Sequence, residues 1–199
     1  MIKGNKLAGK AQEIIGNLLK PLPITPNEMT VASVLIAFIG LYFFMNTDYW
    51  MAIGLYALAL LVDGLDGAVA RAKCMASAKG AFLDGVADRF VEFIILLGLM
   101  AVALPTIAFP SNYWVMGMLF LGTGMTSFIR AYAEYTEAIT REAAQKMNGL
   151  FERAERALFI LIIIGLIAIG DFGNAAVFLM AGTILALITV MQRFLAVIS

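Results

Sequence analysis

The sequence predicts an all-α integral membrane protein: six transmembrane helices, preceded by an amphipathic helix lying on the membrane surface. Three observations predict it. The mean hydropathy is +0.90. Hydrophobic residues make up 62% of the chain and charged ones only 14%, far from the balance of a soluble domain. The charges that remain gather in alternate loops, as they do around membrane spans. Each span needs about 20 apolar residues to cross a hydrocarbon layer of about 30 Å, so 199 residues fit one membrane domain, 1–199, and no second soluble one.

The first element is the interfacial helix, residues 1–22. Leu7, Ile14, Ile15, Leu18 and Leu19 recur among Lys3, Lys6, Lys10 and Lys20, a pattern too polar to span and suited to lying in the interface. A cleavable signal peptide needs a continuous apolar core after its basic region, and none begins before Met29. Pro21, Pro23 and Pro26 end the helix, and Thr25 before Pro26 reads as the start of the next one.

The six-helix bundle, 29–197, follows as Met29 to Met45, Met51 to Ala72, Gly80 to Leu104, Tyr113 to Glu134, Phe151 to Gly170 and Asn174 to Ala196. Arg71, Lys73, Lys79, Arg130, Arg141, Lys146, Arg153, Arg193 and the N-terminal lysines fall on one side. The loops at 46–50, 105–112 and 171–173 contain no lysine or arginine. The basic side is expected to be cytoplasmic, with both termini inside the cell. The polar stretch Glu134 to Gln145 reads as a helical extension into the cytoplasm.

Charge and composition also exclude chemistry. Fourteen basic residues balance fourteen acidic ones without a basic run, so nothing suggests a nucleic-acid surface. No histidine is present, which removes imidazole bases and imidazole metal ligands. Cys74 is the single cysteine, which excludes an intrachain disulfide and a thiolate zinc site. Oxygen ligands remain, and they suit a hard cation such as Mg²⁺ or Mn²⁺.

The candidate site lies in Val62 to Asp88. Asp63 and Asp66 are three apart on the second span, and Asp84 and Asp88 are four apart on the third, so each pair lies along one helix face. Ionisable groups within a membrane are costly and mark function. Counted inward from Arg71 and Gly80 at a rise of 1.5 Å, Asp63 and Asp88 lie at roughly 12 Å, Asp66 at about 7 Å and Asp84 at about 6 Å. Four carboxylates at matched depth repel one another, and one or two divalent ions are the simplest compensation. Gly64, Gly67, Ala68, Ala70, Gly80, Ala81, Gly85 and Ala87 flank them. These small residues either open the backbone to a bulky ligand or only allow close helix packing.

The run Asp63, Asp66, Gly67, Ala70, Arg71, Gly80, Asp84, Asp88 matches D-x-x-D-G-x-x-A-R-x8-G-x3-D-x3-D at every fixed position. In this it resembles the CDP-alcohol phosphotransferases, which also share the six spans and the interfacial helix. The resemblance implies transfer of a phosphatidyl- or archaetidyl-type group from CDP-diacylglycerol or CDP-archaeol to an alcohol, with release of CMP. It also implies two metal ions on Asp63, Asp66, Asp84 and Asp88, with Asp88 as general base. The CDP donor would lie against Asp66, Gly67, Ala70, Arg71 and Gly80, and the active site would face the cytoplasm in a homodimer.

Arg130, Arg153 and Arg156 form a second group near the cytoplasmic ends, and Arg153 and Arg156, three apart, share a helix face. Guanidinium groups suit a phosphate, so the acceptor is expected to be a phosphorylated polyol. The alternative is that they flank the membrane and pair with Glu134, Glu152 and Glu155. Ser127–Glu134 and Phe151–Leu158 resemble the inositol-phosphate-using branch, the phosphatidylinositol-phosphate and archaetidylinositol-phosphate synthases. Tyr132 departs from that branch, which commonly has a basic residue there, and glycerol 3-phosphate remains an alternative acceptor. From another class, an intramembrane cation transporter would also place carboxylates on facing helices. The confinement of all four to one half of the membrane, and the lack of paired broken helices, argue against it.

Overall fold

Thr25 and Pro26 start the first described spanning helix, as the sequence predicts. In the computed structural model, which describes residues 14–21 and 23–199, α1 runs Pro26–Met45. Its N-terminus closes with a reciprocal capping box, Glu28 N–H to Thr25 Oγ1 at 3.3 Å and Thr25 N–H to Glu28 Oε2 at 2.7 Å. Residues 1–13 and 22 of the expected interfacial helix lie outside the described residues. Residues 14–19 are helical, with Ile14 and Leu18 exposed one turn apart.

The chain divides into two compact units, the first ending at Ile95 and the second spanning Leu96–Ser199. In the first, α1 pairs with α2, Tyr49–Ala72, around a buried seam of Ala37, Phe44, Ala52, Tyr56 and Ala59. The turn between them satisfies itself. Asp48 N–H bonds to Phe43 O at 3.0 Å and Thr47 N–H to Phe44 O at 3.0 Å, with Thr47 in the left-handed region at φ 63°. This is a Schellman ending, and Asp48 then caps α2 through Met51 N–H at 3.2 Å.

The same ending closes α2. Met75 N–H bonds to Ala70 O at 2.8 Å and Cys74 N–H to Arg71 O at 3.2 Å, with Cys74 at φ 56°. A cysteine there bears the Cβ penalty that glycine avoids, and its side chain is exposed. Cys74→Gly is therefore expected to stabilise the protein by about 1 kcal/mol, the αL penalty less glycine's extra freedom when unfolded, read as a higher melting temperature in detergent. Beyond the turn, α3 covers Ala78–Met100.

In the second unit, α4 (Ser111–Gly117), a π-helical segment (Met118–Met125) and α5 (Thr126–Tyr135) follow without a break. A short α6, Arg141–Lys146, leads to α7, Arg153–Ala168, and α8, Phe172–Ile198. Ile160, Ile163, Ile164, Ile167 and Leu179 are buried there. The α7–α8 turn repeats the first hairpin, with Asp171 N–H on Leu166 O at 2.8 Å and Gly170 at φ 80°. Asp171 caps α8 through Asn174. Hydrogen bonds from the Asn174 side chain and backbone hold the Asp171 carboxyl below the usual carboxylate range. The charged cap is thus fully present above the ordinary value and is lost only as pH falls through the lowered one.

Three of the described helices, α1, α2 and α8, are long and apolar enough to cross a membrane. The other three expected spans differ for physical reasons. Five charged residues, Lys79, Asp84, Asp88, Arg89 and Glu92, interrupt α3. The fourth changes helical geometry at Met118 and Thr126. At 16 residues, α7 is only about 24 Å long. Among the described residues there is no strand, only a bridge between Ile107 and Phe109.

Candidate functional site

Two helices of the first unit supply the carboxylates. On α2, Asp63 and Asp66 are 2% and 4% exposed, and on α3, Asp84 and Asp88 are half-buried. Asp63, Asp84 and Asp88 each place a carboxylate oxygen within 4.8 Å of the others. That spacing lets three oxygens converge on a shared divalent cation, and an all-oxygen donor set suits Mg²⁺ or Mn²⁺. Repulsion among them supplies the reason for a cation, since each also loses hydration on burial. The residues present fit the ion that the sequence predicts.

Asp66 is held separately, within electrostatic range of Asp84 and Asp63. Its Oδ2 accepts from the hydroxyl of Thr30 on α1, which also lies 3.1 Å from Pro26 O. One hydroxyl has one proton, and a carboxylate is the stronger acceptor. Ser33 Oγ in turn donates to Thr30 O at 2.7 Å, which steadies that turn of α1.

The small residues of the signature line a restricted backbone surface. A Cβ added at Gly67 would lie 3.5 Å from Arg71 Nη1, so the Arg71 guanidinium runs beside the Gly67 backbone. Ala70 lies one residue before Arg71 on the last turns of α2. Gly80 is tighter, because a Cβ there would meet Ser77 Oγ at 3.2 Å and Asn27 Oδ1 at 3.3 Å. Lys73 Nζ donates to Ile24 O at 2.6 Å, tying the end of α2 to the lead-in of α1.

Several participants were not singled out in the sequence. Asn27, Thr30 and Ser33 recur every three residues along α1, and this polar stripe on an apolar helix is the signal that could have found them. Arg89 Nη1 lies 3.2 Å from Asp88 Oδ2 and donates to Gly85 O at 2.7 Å, setting a positive charge beside the expected base. Glu92, one turn beyond Asp88, is a further buried carboxylate at 6% exposure.

The three arginines belong to the second unit. Arg153 opens α7, and Arg156 is buried three residues later. A Cβ at Gly122 of the π segment would come within 2.8 Å of Arg156 Cδ and 3.2 Å of its Nε, so the absence of a side chain there makes room for this arginine. Arg130 is half-buried on α5. Glu152 is engaged by Arg193 at 2.7 Å and Glu134 by Arg141 at 3.7 Å. Tyr132 stacks with Phe128 and Tyr135, at ring separations of 5.1 and 6.3 Å, in an exposed aromatic ladder on α5.

Residues 23–196 match the CDP-alcohol phosphatidyltransferase family. The chain is 33% identical to an archaetidylinositol phosphate synthase of Pyrococcus horikoshii, over 91% of this chain and 87% of that protein. Its fold is similar to the crystal structure of Mycobacterium tuberculosis phosphatidylinositol phosphate synthase with CDP-DAG bound, with a TM-score of 0.75, 24% identity and 94% of each chain covered. The same enzyme in complex with manganese and citrate gives a TM-score of 0.76 at 24% identity, over 94% of this chain and 89% of that one.

Proposed function

Because this chain belongs to the CDP-alcohol phosphatidyltransferase family, we propose that it moves a phosphatidyl- or archaetidyl-type group from a CDP-linked lipid to a hydroxyl of inositol phosphate. The observation that carries the reading is the convergence of Asp63, Asp84 and Asp88, three aspartates of the family signature, within 4.8 Å. The acceptor is supported by the 33% identity to an archaetidylinositol phosphate synthase. Three arginines suited to a phosphate are consistent with it.

In the proposed reaction Asp88 takes the proton of the acceptor hydroxyl. The oxygen then forms a bond to the lipid-bearing phosphorus, and the bond from that phosphorus to the bridging oxygen breaks, so that CMP leaves with the electron pair. Asp63, Asp66, Asp84 and Asp88 would hold one or two divalent ions, which neutralise the pyrophosphate and the developing charge on CMP. Gly67, Ala70 and Gly80 let the nucleotide approach the backbone, and Arg71 reaches the pyrophosphate. Arg130, Arg153 and Arg156 take the acceptor's phosphate.

The remaining expectations belong to the same reading: six spans with an interfacial N-terminal helix, both termini and the site on the cytoplasmic side, and a homodimer. The test is CMP release by purified protein with CDP-diacylglycerol or CDP-archaeol, Mg²⁺ or Mn²⁺, and a panel of inositol phosphates, glycerol 3-phosphate, serine and inositol. Metal-dependent release with an inositol phosphate is expected, and release only with an uncharged or zwitterionic alcohol would overturn the acceptor. Arg153→Ala is expected to raise the acceptor KM on the order of tenfold, as loss of a charged hydrogen bond does, while the donor KM holds. A change confined to the donor KM would refute that role.

A further inference from the structure

A glycine brings the N-terminal helix onto the signature helix. In residues 14–19 Ile14 and Leu18 are exposed, and Gly16 lies about half a turn round from both. Among residues 14–21 it alone is fully buried, flanked by half-buried Ile15 and Leu19. A Cβ added at Gly16 would lie 2.8 Å from Ala68 O, 3.1 Å from Ala68 C and 3.4 Å from Ala68 Cβ. The two nearest of these atoms are backbone, so no change of side-chain rotamer on α2 could make room. The absence of a side chain is what lets the two helices meet there.

Ala68 belongs to the stretch that bears the donor residues. It is 4% exposed and comes directly after Asp66 and Gly67 and shortly before Ala70 and Arg71. A second tie lies further along α2, where Lys73 Nζ donates to Ile24 O at 2.6 Å. The segment from Gly16 to Ile24 is therefore fastened to α2 at Ala68 and at its C-cap, Lys73. At the rise of an α-helix the two ties stand about 7.5 Å apart, with Ala70 and Arg71 between them. The turn that carries the Arg71 guanidinium is held from outside at both of its ends.

We infer that Gly16 is a positioning residue for the CDP donor: by seating the N-terminal helix on Ala68, it fixes the turn of α2 from which Gly67, Ala70 and Arg71 meet the nucleotide and its pyrophosphate. The inference rests on the proposed donor site. It gives the N-terminal helix a part in donor recognition, through a residue with no side chain to touch a ligand. The sign of one substitution separates this seat from an ordinary helical glycine. Alanine is the better helix former, so at an open position Gly→Ala would firm the helix and leave the site alone. At Gly16 the added methyl group meets a backbone carbonyl, and the helix must lift off its seat.

The experiment measures the Kd for CMP in the presence of Mg²⁺ by calorimetry, in the unsubstituted protein and in Gly16→Ala, Asn17→Ala and Arg71→Ala. Donor KM, acceptor KM and kcat are measured alongside, from CMP release with CDP-diacylglycerol and inositol 1-phosphate. In Gly16→Ala the CMP Kd and the donor KM are expected to rise together, on the order of tenfold, as for a slightly misplaced binding group. Acceptor KM and kcat should stay within about twofold. Asn17→Ala, exposed on the same helix, should move none of these, and an equal loss there would overturn the inference. An unmoved CMP Kd in Gly16→Ala, with or without a lower melting temperature, would overturn it as well, because the glycine would then serve packing alone. A donor KM that rises without the CMP Kd would do the same, since the helix would be acting on the lipid chains. If Arg71→Ala leaves both quantities unchanged, the donor assignment itself has failed. If Arg71→Ala raises them while Gly16→Ala does not, only the positioning role has. Should Gly16→Ala not fold, Lys73→Met releases the same segment at its other tie, and unchanged CMP binding in that variant would overturn the inference.

Discussion

Asp88→Asn is expected to lower CMP release on the order of a thousandfold, the middle to upper range for loss of a general base, while the protein stays helical and folded. The amide has the carboxylate's shape and leaves no cavity. Its main structural cost is a weaker partner for Arg89, whose side chain is 36% exposed, and such pairs contribute about 0–1 kcal/mol. Against that, the change removes one of three converging negative charges. Melting of the variant without added metal should therefore match or exceed that of the unsubstituted protein. Near-normal turnover at saturating metal and substrates would remove Asp88 from the base's place.

Chelating divalent cations should abolish CMP release, and adding Mg²⁺ or Mn²⁺ should restore it. The same addition should raise the melting temperature, because an ion that binds only the folded state stabilises it, by about 2.7 kcal/mol at a hundred times its dissociation constant. Asp63 is the most sensitive place to weaken this effect, being 2% exposed and close to both α3 carboxylates. Asp63→Asn should raise the metal concentration for half-maximal turnover on the order of tenfold or more, the scale of one charge-assisted contact. Undiminished turnover in excess chelator would exclude the metal reading altogether.

Much of this was legible in the sequence, because a membrane makes charge conspicuous. Asp63, Asp66, Asp84 and Asp88 stood out against apolar surroundings, and Thr25–Pro26 marked the start of α1 to the residue. Other features leave little local trace. Asp48 and Asp171 were visible only as isolated loop charges, whereas each caps a helix directly after a Schellman turn. The first of those turns places Thr47, not glycine, in the left-handed position, so its usual marker is missing. The π segment is written in the same apolar letters as an α-helix. The Thr30–Asp66 and Arg193–Glu152 bonds join residues 36 and 41 apart, and no periodicity points from one end to the other.

Those separations also set an order of construction. Chains emerge from the ribosome N-terminus first, and every residue of the Thr30–Asp66 bond and of the Asp63–Asp84–Asp88 cluster precedes Leu96. The loop at 149–152 is made later, and it waits some forty further residues for Thr189, Gln192 and Arg193 to be synthesised. The growing protein thus owns its carboxylates well before that loop can be held. A ribosome paused after the third helix would hold a half-built bundle in which eight acidic residues balance eight basic ones, so the carboxylate cluster is complete inside a segment of no net charge.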